Sequence, residues 1–285
     1  MCDRRQLAFQ NDNEEIYRYL KQLRAQYWVP ESISLSKEKT SYRNLPEDVR
    51  RAVFRINCFF GTSDGYVMKN IQENFKEDLK EFADICQVFT AIEANELIHS
   101  ETYANVIRAI CDDPKDFETF IESSTKFRAI ARIHDWIEKY MNRETPYPIR
   151  CLVFILLEGM IFSSCFAYIH NLKAQIRNDG MQGLIDSNEY IAKDEGVHTD
   201  FGIAIFHLLT REGTRYYRYP RPSEKDVREV VKEAISIADE FIEWYMEGDH
   251  KTIDIPKAKM YVRHIANEIM SRENGLGYGR FYDCE

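Results

Sequence analysis

Apolar residues return every three or four positions through most of the chain, the period that gathers side chains on one face of a helix. The pattern predicts helices over residues 12–26, 46–75, 80–111, 115–141, 147–178, 182–211, 224–247 and 255–273. Pro46, Pro114, Pro146 and Pro148 fall at predicted starts, where a missing N–H costs least, and Pro220 and Pro222 break the chain before 224. No alternating Val/Thr-rich run reads as a strand. Connections are short, and neither an internal repeat nor a shift of composition marks a boundary. The expected fold class is all-α, in a single domain spanning 1–285.

One segment departs from the amphipathic pattern. "CLVFILLEGMIFSSCFAYI" (151–169) is apolar on every side and long enough to cross a bilayer. Against a span stand Glu158 at its middle, two serines and the lack of a strongly basic flank. A helix apolar all round is otherwise one buried at the centre of a domain. Glu158 is then a buried carboxylate, costly unless a cation or a proton accompanies it. No membrane is expected.

Composition narrows the partners. At 44% hydrophobic and 13% aromatic the chain can bury a large core, so disorder is excluded. The net charge is −9, and "RYYRYPRPSEK" (215–225) is too short and Pro-broken for a nucleic-acid patch, so no nucleic-acid partner is expected. Cysteines stand at 2, 58, 86, 111, 151, 165 and 284, with no C-x-x-C pair and no signal peptide. That usage fits reduced thiols in a cytosolic or nuclear compartment and argues against dithiol chemistry in this chain. "ENGLGYG" (273–279) lacks the preceding strand that a phosphate-cradling loop needs.

The remaining signal is a set of ionisable residues on helical faces. "AIEANELIHSETYANVI" (91–107) puts Glu96, His99 and Tyr103 three and four residues apart, hence on one face. Glu195 and His198 repeat the acid–imidazole spacing in "YIAKDEGVHTDFGIAIF". A third such pair, Glu247–His250, lies in "EGDH" at a helix end and reads as a chance match. Asp64 interrupts the apolar face of "CFFGTSDGYVMKN" (58–70); taken alone it reads as an exposed or locally bonded aspartate. With Glu158 these residues supply one carboxylate from each of two helices and a Glu-x-x-His pair from each of two more, the donor set of a di-metal carboxylate bundle. Carboxylates can bridge two ions or change binding mode with charge, and each imidazole adds one ligand. Tyr103 lies one turn beyond His99, near such a pair without ligating it. Phe162 and Phe166 follow Glu158 by four and eight residues, and Ile191 precedes Glu195 by four. Core packing explains these three, and shielding of a radical would use the same side chains.

The stretches "YWVPESISLSK" (27–37), "FFGTSDGYV" (59–67), "ELIHSETY" (96–103), "LLEGMIFSSCFA" (156–167) and "SNEYIAKDEGVH" (187–198) resemble, in order and over nearly the whole chain, the radical-generating small subunit of class I ribonucleotide reductase. The wording is most similar to the eukaryotic and large-DNA-virus branch. The resemblance implies a ferritin-like bundle whose metal ligands are Asp64, Glu96, His99, Glu158, Glu195 and His198. It also implies a di-iron-oxo centre, with manganese–iron or dimanganese as alternatives, that oxidises Tyr103 to a stable radical. Trp28, Asp194 and His99 would form the inner radical-transfer route, and Asp194 suits an outer hydrogen bond to a metal-bound histidine. A homodimer and a separate large subunit that reduces ribonucleoside diphosphates are the partners implied, in the cytoplasm.

Two features depart from the family pattern. Lys193 stands where arginine is more usual before the Asp-Glu pair, so proton or water access near Asp194 is expected to differ. The chain stops at "GYGRFYDCE", without the Asn-Pro segment and tyrosine-bearing docking tail of family members. The expectation is either a trimmed chain or impaired docking. Two rival readings stay open: another di-metal oxidase or iron-handling protein on the same bundle, and a non-enzymatic helical partner protein whose metal site is structural or empty.

Overall fold

The computed structural model describes residue 9 and residues 13–175, 180–249 and 251–284. Cys2, His250 and helical positions 12 and 176–178 of the sequence reading lie outside them. The described chain is a succession of helices: α1 (Glu14–Ala25), α2 (Glu38–Arg43), α3 (Glu47–Asn70), α4 (Ala83–Ile110), α5 (Pro114–Ile121), α6 (Ser123–Lys126), α7 (Arg128–Tyr140), α8 (Tyr147–Leu156), α9 (Phe162–Gln175), α10 (Gln182–Thr210), α11 (Glu224–Tyr245) and α12 (Ile255–Met270). No strand occurs among the described residues. Local chemistry starts several of them. Asn13 accepts from the N–H groups of Glu15 and Ile16, Asp113 from that of Lys115 and Ser223 from that of Asp226.

The all-round apolar segment becomes the central rod. α8 and α9 run on through a wide π turn, Leu157–Ile161, and pack against α10, α11 and α12. The rod is long and apolar enough to span a membrane, but 78% of that apolar window is buried inside the fold. On the far side α3 packs along α4, and α1 crosses both α4 and α10. Two glycines let the rod come close to α10. A Cβ on Gly202 would stand 2.7 Å from Ile155 Cγ1, and one on Gly159 would stand 2.7 Å from Thr199 Cγ2.

Three departures from the periodicity have local causes. The helix expected over 115–141 is three pieces, because Glu122 and Phe127 leave helical geometry. Ser123 in the break donates to the Cys58 carbonyl at 3.0 Å, and Phe127 packs on Trp244. The helix expected over 46–75 turns π at Ile71–Phe75. The last helix stops at Met270, because the Gly-rich stretch folds back to cap it. Leu276 N–H donates to the Ile269 carbonyl at 2.7 Å and Gly279 N–H to that of Met270 at 2.8 Å. Gly277 and Gly279 supply the positive φ of 82° and 87° that this return requires.

The start of α10 is capped across the fold. Met181 precedes the helix in left-handed geometry and offers no side-chain cap. Glu38, 1% exposed on α2, accepts instead from Gly183 N–H at 2.7 Å. Burial pushes its carboxyl pKa up, against the pull of the Gly183 and Leu184 N–H groups. We expect Glu38→Ala to cost about 1–2 kcal/mol and Glu38→Gln, which keeps an acceptor, clearly less. Denaturant midpoints of the two variants test this; equal losses would remove the capping role.

His134 on α7 is 3% exposed, stacks on Tyr66 at 4.2 Å and lies 3.2 Å from Ser63 Oγ. Burial pushes its pKa down to about 4. A base whose folded pKa lies below its unfolded value near 6.5 holds full stability above that value and loses it as pH falls toward 4. Going from pH 7 to pH 5, wild type should lose about 2 kcal/mol that His134→Gln does not. Urea titrations at the two pH values read the difference directly.

Candidate metal centre

Four long elements converge on six charged side chains. α3 brings Asp64, α4 brings Glu96 and His99, the π turn brings Glu158, and α10 brings Glu195 and His198. None is more than 2% exposed. The spacing of three keeps acid and imidazole on one face of α4 and again of α10. Glu158 stands within the widened turn rather than on regular α-helix, a local geometry the apolar pattern does not announce.

Distances divide the carboxylates into two kinds. Glu96 directs Oε1 to His198 Nδ1 (3.1 Å) and Oε2 toward His99 Nδ1 (3.6 Å). Glu195 does the same, with Oε1 at 3.1 Å from His99 Nδ1 and Oε2 at 3.0 Å from His198 Nδ1. Asp64 joins only the group with Glu96 and His99, and Glu158 only the group with Glu96, Glu195 and His198. The donor atoms of each group lie within 4.8 Å of one another, and Glu96 belongs to both. The arrangement can hold two ions side by side, with Glu96 and Glu195 between them and Asp64 and Glu158 outside. Both Asp64 oxygens and Glu158 Oε1 are buried with no hydrogen-bond partner among the described residues. Unpaired buried carboxylate oxygens are expensive, and a cation is the natural partner.

The charges agree with that count. With both imidazoles neutral, four carboxylates match two divalent ions. Without ions the site recruits protons. Burial disfavours imidazolium, yet Glu195 and Glu96 overcome it and push His198 up to about 10. His99 is likewise raised, by Asp194, Glu195 and Glu96 against its burial. Asp64 is pushed up by burial and then by Glu96.

His99 is held from outside as well. Its Nε2 lies 3.1 Å from Asp194 Oδ2, which also accepts from Trp28 Nε1 at 2.9 Å. With an ion bound, a hydrogen bond donated from Nε2 would leave Nδ1 unprotonated and facing the ion. The indole of Trp28 stacks on the His99 ring at 6.1 Å. Burial opposes ionisation of Asp194, but the bonds from His99 and Trp28 hold its pKa below the usual carboxylate value. Gln26 Nε2 donates to the second oxygen, Oδ1, at 2.6 Å. Sequence reasoning missed Gln26, although its place two residues before Trp28 is the available signal. No such outer partner meets His198, whose Nε2 is buried and unbonded among the described residues.

Tyr103 is 3% exposed, and its hydroxyl finds no hydrogen-bond partner among the described residues. Burial, followed by the negative field of Asp64, pushes its pKa well up and keeps the phenol protonated. The ring it touches is Phe60, stacked at 4.8 Å and 7°. Sequence reasoning left Phe60 out of the site, though it precedes Asp64 by one turn on the same face of α3. Phe162 (5.2 Å) and Phe166 (5.1 Å) pack on Phe60 in turn. Ile191 is fully buried on α10 one turn before Glu195. A cavity of about 430 Å³, lined by Glu158, Phe166, Lys193, Glu195 and Asp200, links the edge of the site to the surface.

Known proteins are similar to this chain in sequence and in fold. Human ribonucleoside-diphosphate reductase subunit M2 is 29% identical over 283 residues, covering 99% of this chain and 69% of its own. The small chain of the Variola virus enzyme is 30% identical over 271 residues, covering 94% of this chain and 79% of its own. A putative class I ribonucleotide reductase from Bacillus halodurans superposes with a TM-score of 0.81 at 18% identity, over 94% of each chain. The fold is the ferritin-like helical bundle of such proteins. The family model "Ribonucleotide reductase, small chain" matches residues 5–285, and the chain belongs to that family.

Proposed function

We propose that this chain, the small subunit of a ribonucleoside-diphosphate reductase, holds two metal ions on Asp64, Glu96, His99, Glu158, Glu195 and His198 and carries its stable radical on Tyr103. The observation that carries the reading is the place of Glu96 in both buried donor groups, with Glu195 reaching both imidazoles and an unbonded phenol one turn from His99. Two irons suit the mixed oxygen–nitrogen donors, and manganese in one or both positions suits them too. When bound, the ions would supply reduction of oxygen and one-electron oxidation of the phenol.

The protein's own groups do the rest. Glu96 and Glu195 set the spacing of the two positions. Asp194 orients His99, and Gln26 and Trp28 fix Asp194. The Phe60 ring, backed by Phe162 and Phe166, keeps water from Tyr103, which prolongs the life of a neutral phenoxyl. Ile191 fills the core one turn before Glu195 on α10. Tyr103 gives up its proton as it loses an electron, and the carboxylates around Asp64 are the bases at hand. Trp28, Asp194 and His99 make a hydrogen-bonded, stacked route for the oxidising equivalent toward a large subunit. The substrate site and dithiols belong to that partner, since no phosphate loop or C-x-x-C pair is present here. We further propose a homodimer of single-domain chains in the cytoplasm, a setting that suits the free thiols of Cys58, Cys86, Cys111, Cys151, Cys165 and Cys284.

One observation supports the rival oxidase. An apolar cavity of about 560 Å³ lies beside Phe166, between α9, α10 and α12, with Asn188, Lys257 and Tyr261 in its wall. It could seat a substrate, and it shares Phe166 and Ala192 with the smaller cavity at Glu158 and Glu195. Oxidation of an added organic substrate by Tyr103→Phe would favour that reading.

The first test is electron paramagnetic resonance after anaerobic Fe(II) loading and admission of oxygen. We expect two irons per chain, a tyrosyl doublet, and loss of the doublet in Tyr103→Phe with iron uptake kept. Metal oxidation without a protein radical would refute the radical role; failure to bind Fe(II) or Mn(II) would leave the structural rival.

A second prediction separates generation from transfer. Asp194→Asn should leave the Tyr103 radical within about twofold of wild type but cut deoxynucleotide formation with the large subunit by about 100-fold. Unchanged turnover would take Asp194 off the route.

A further inference from the structure

The two ends of the ligand set differ in what stands behind them. Asp194 backs His99, and no such group backs Glu158 or His198 among the described residues. Glu158 turns Oε2 toward His198 Nδ1 at 3.4 Å, while its Oε1 is buried and unbonded. The Thr199 hydroxyl is in the same condition, buried with no hydrogen-bond partner among the described residues. A threonine inside a helix can donate to the carbonyl four residues back. Thr62, Thr90, Thr102 and Thr210 all do so, at 2.7–3.1 Å. Thr199 leaves the Glu195 carbonyl alone and faces the π turn instead. A Cβ on Gly159, the residue after Glu158, would stand 3.0 Å from Thr199 Oγ1 and 2.7 Å from its Cγ2.

Thr199, Glu158 and Glu195 line the same cavity of about 430 Å³. The other side-chain donors in its wall are engaged or outside. Ser163 Oγ donates to the Met160 carbonyl at 2.7 Å, and Lys193 is exposed, its ammonium 5.6 Å from the Tyr190 centroid. Thr199 follows Glu195 by four residues, so α10 carries it on the ligand face, one turn further on. We propose that Thr199 is a positioning residue for Glu158, its hydroxyl donating to the Glu158 oxygen that is turned away from the ion position. The proposal rests on the reading of Glu158 as a metal ligand.

Coordination chemistry explains why a hydroxyl belongs there. A carboxylate at the end of a two-ion site can give one oxygen to its ion and leave the other in a water-poor wall. That second oxygen either finds a donor or turns in and chelates the same ion. A hydrogen bond from Thr199 favours the first arrangement and fixes the Glu158 side chain, as outer partners fix other ligands. Gly159 belongs to the same device, since a Cβ there would push Thr199 away from the turn that carries Glu158. The hydroxyl does nothing for the fold itself, because within the fold it bonds to none of the described residues. A merely structural threonine would behave in the opposite way, and that difference makes the proposal testable.

The experiment titrates Mn(II) into the whole chain and reads the free ion by its electron paramagnetic resonance signal. The parent should take up two ions. Thr199→Val, equal in shape but without the hydroxyl, should bind one ion about tenfold more weakly and the other within about twofold of the parent. Thr199→Ser, which keeps the hydroxyl, should stay close to the parent. Without added metal, the denaturant midpoint of Thr199→Val should be at or above the parent's, since the lost hydroxyl leaves no partner behind. Parent-like affinity for both ions in Thr199→Val overturns the role and leaves the ion site standing. Equal weakening in Thr199→Ser and Thr199→Val overturns it too, by making the contact with Gly159 the cause, and so does a lowered midpoint in metal-free Thr199→Val. Uptake of fewer than two ions by the parent overturns the di-metal reading beneath it.

Discussion

Four carboxylates and two imidazoles share one water-poor pocket, and the rest of the molecule is arranged to make that tolerable. An isolated carboxylate moved from water into an apolar interior meets a penalty on the order of 20 kcal/mol before relaxation. Mutual repulsion among Asp64, Glu96, Glu158 and Glu195 adds to it. Two divalent ions would cancel the charge, and bound protons are a partial substitute. The large apolar core around the site is the counterweight: the α8–α9 rod, the Phe59–Phe60–Phe162–Phe166 cluster and the buried faces of α3 and α4. A site of this kind needs a long chain with several fully buried helices, which is what the sequence pattern describes.

The helices and their order are legible because amphipathic periodicity is a local property, and so is the spacing that places Glu96 with His99 and Glu195 with His198. Glu158 was legible for another reason: a charge in the middle of an otherwise apolar run has no inexpensive explanation. What escaped the sequence depends on contacts distant along the chain. Glu38 caps α10 from 145 positions away, and Gln26 meets Asp194 across 168. Nothing near Met181 signals that its helix borrows a cap from elsewhere. Phe60 is an intermediate case, since its face is readable but its stacking on Tyr103 follows only from the α3–α4 packing. The division of labour among the carboxylates, with Glu96 and Glu195 between two positions and Asp64 and Glu158 at the ends, is likewise a product of the assembled bundle.

The two imidazoles sit alike in the ligand set and differently outside it. His99 has an ionised Asp194 bonded to its outer nitrogen and an indole stacked on it. His198 has none of these among the described residues, and its outer nitrogen is unbonded. On the proposed reading this asymmetry separates binding from conduction. Both histidines can complete a ligand set, but only His99 has a hydrogen-bonded connection leading outward.

α10 carries the consequence. Along its length it presents Asp194, Glu195 and His198, so a rotation or shift of this one helix would disturb the carboxylate behind His99 and two of the candidate ligands together. Its position is held at several points: the Glu38 cap at its start, the close approach at Gly202 to α8, and the contact of Thr199 with Gly159 beside Glu158. Each holds backbone rather than a ligand atom. Rigidity of the scaffold is therefore part of the chemistry, because donors must keep their spacing whether ions or protons fill the space between them. A flexible α10 could let Glu195 swing to relieve its repulsion with Glu96 in the metal-free protein, and the shared position of both carboxylates between the two imidazoles would be lost.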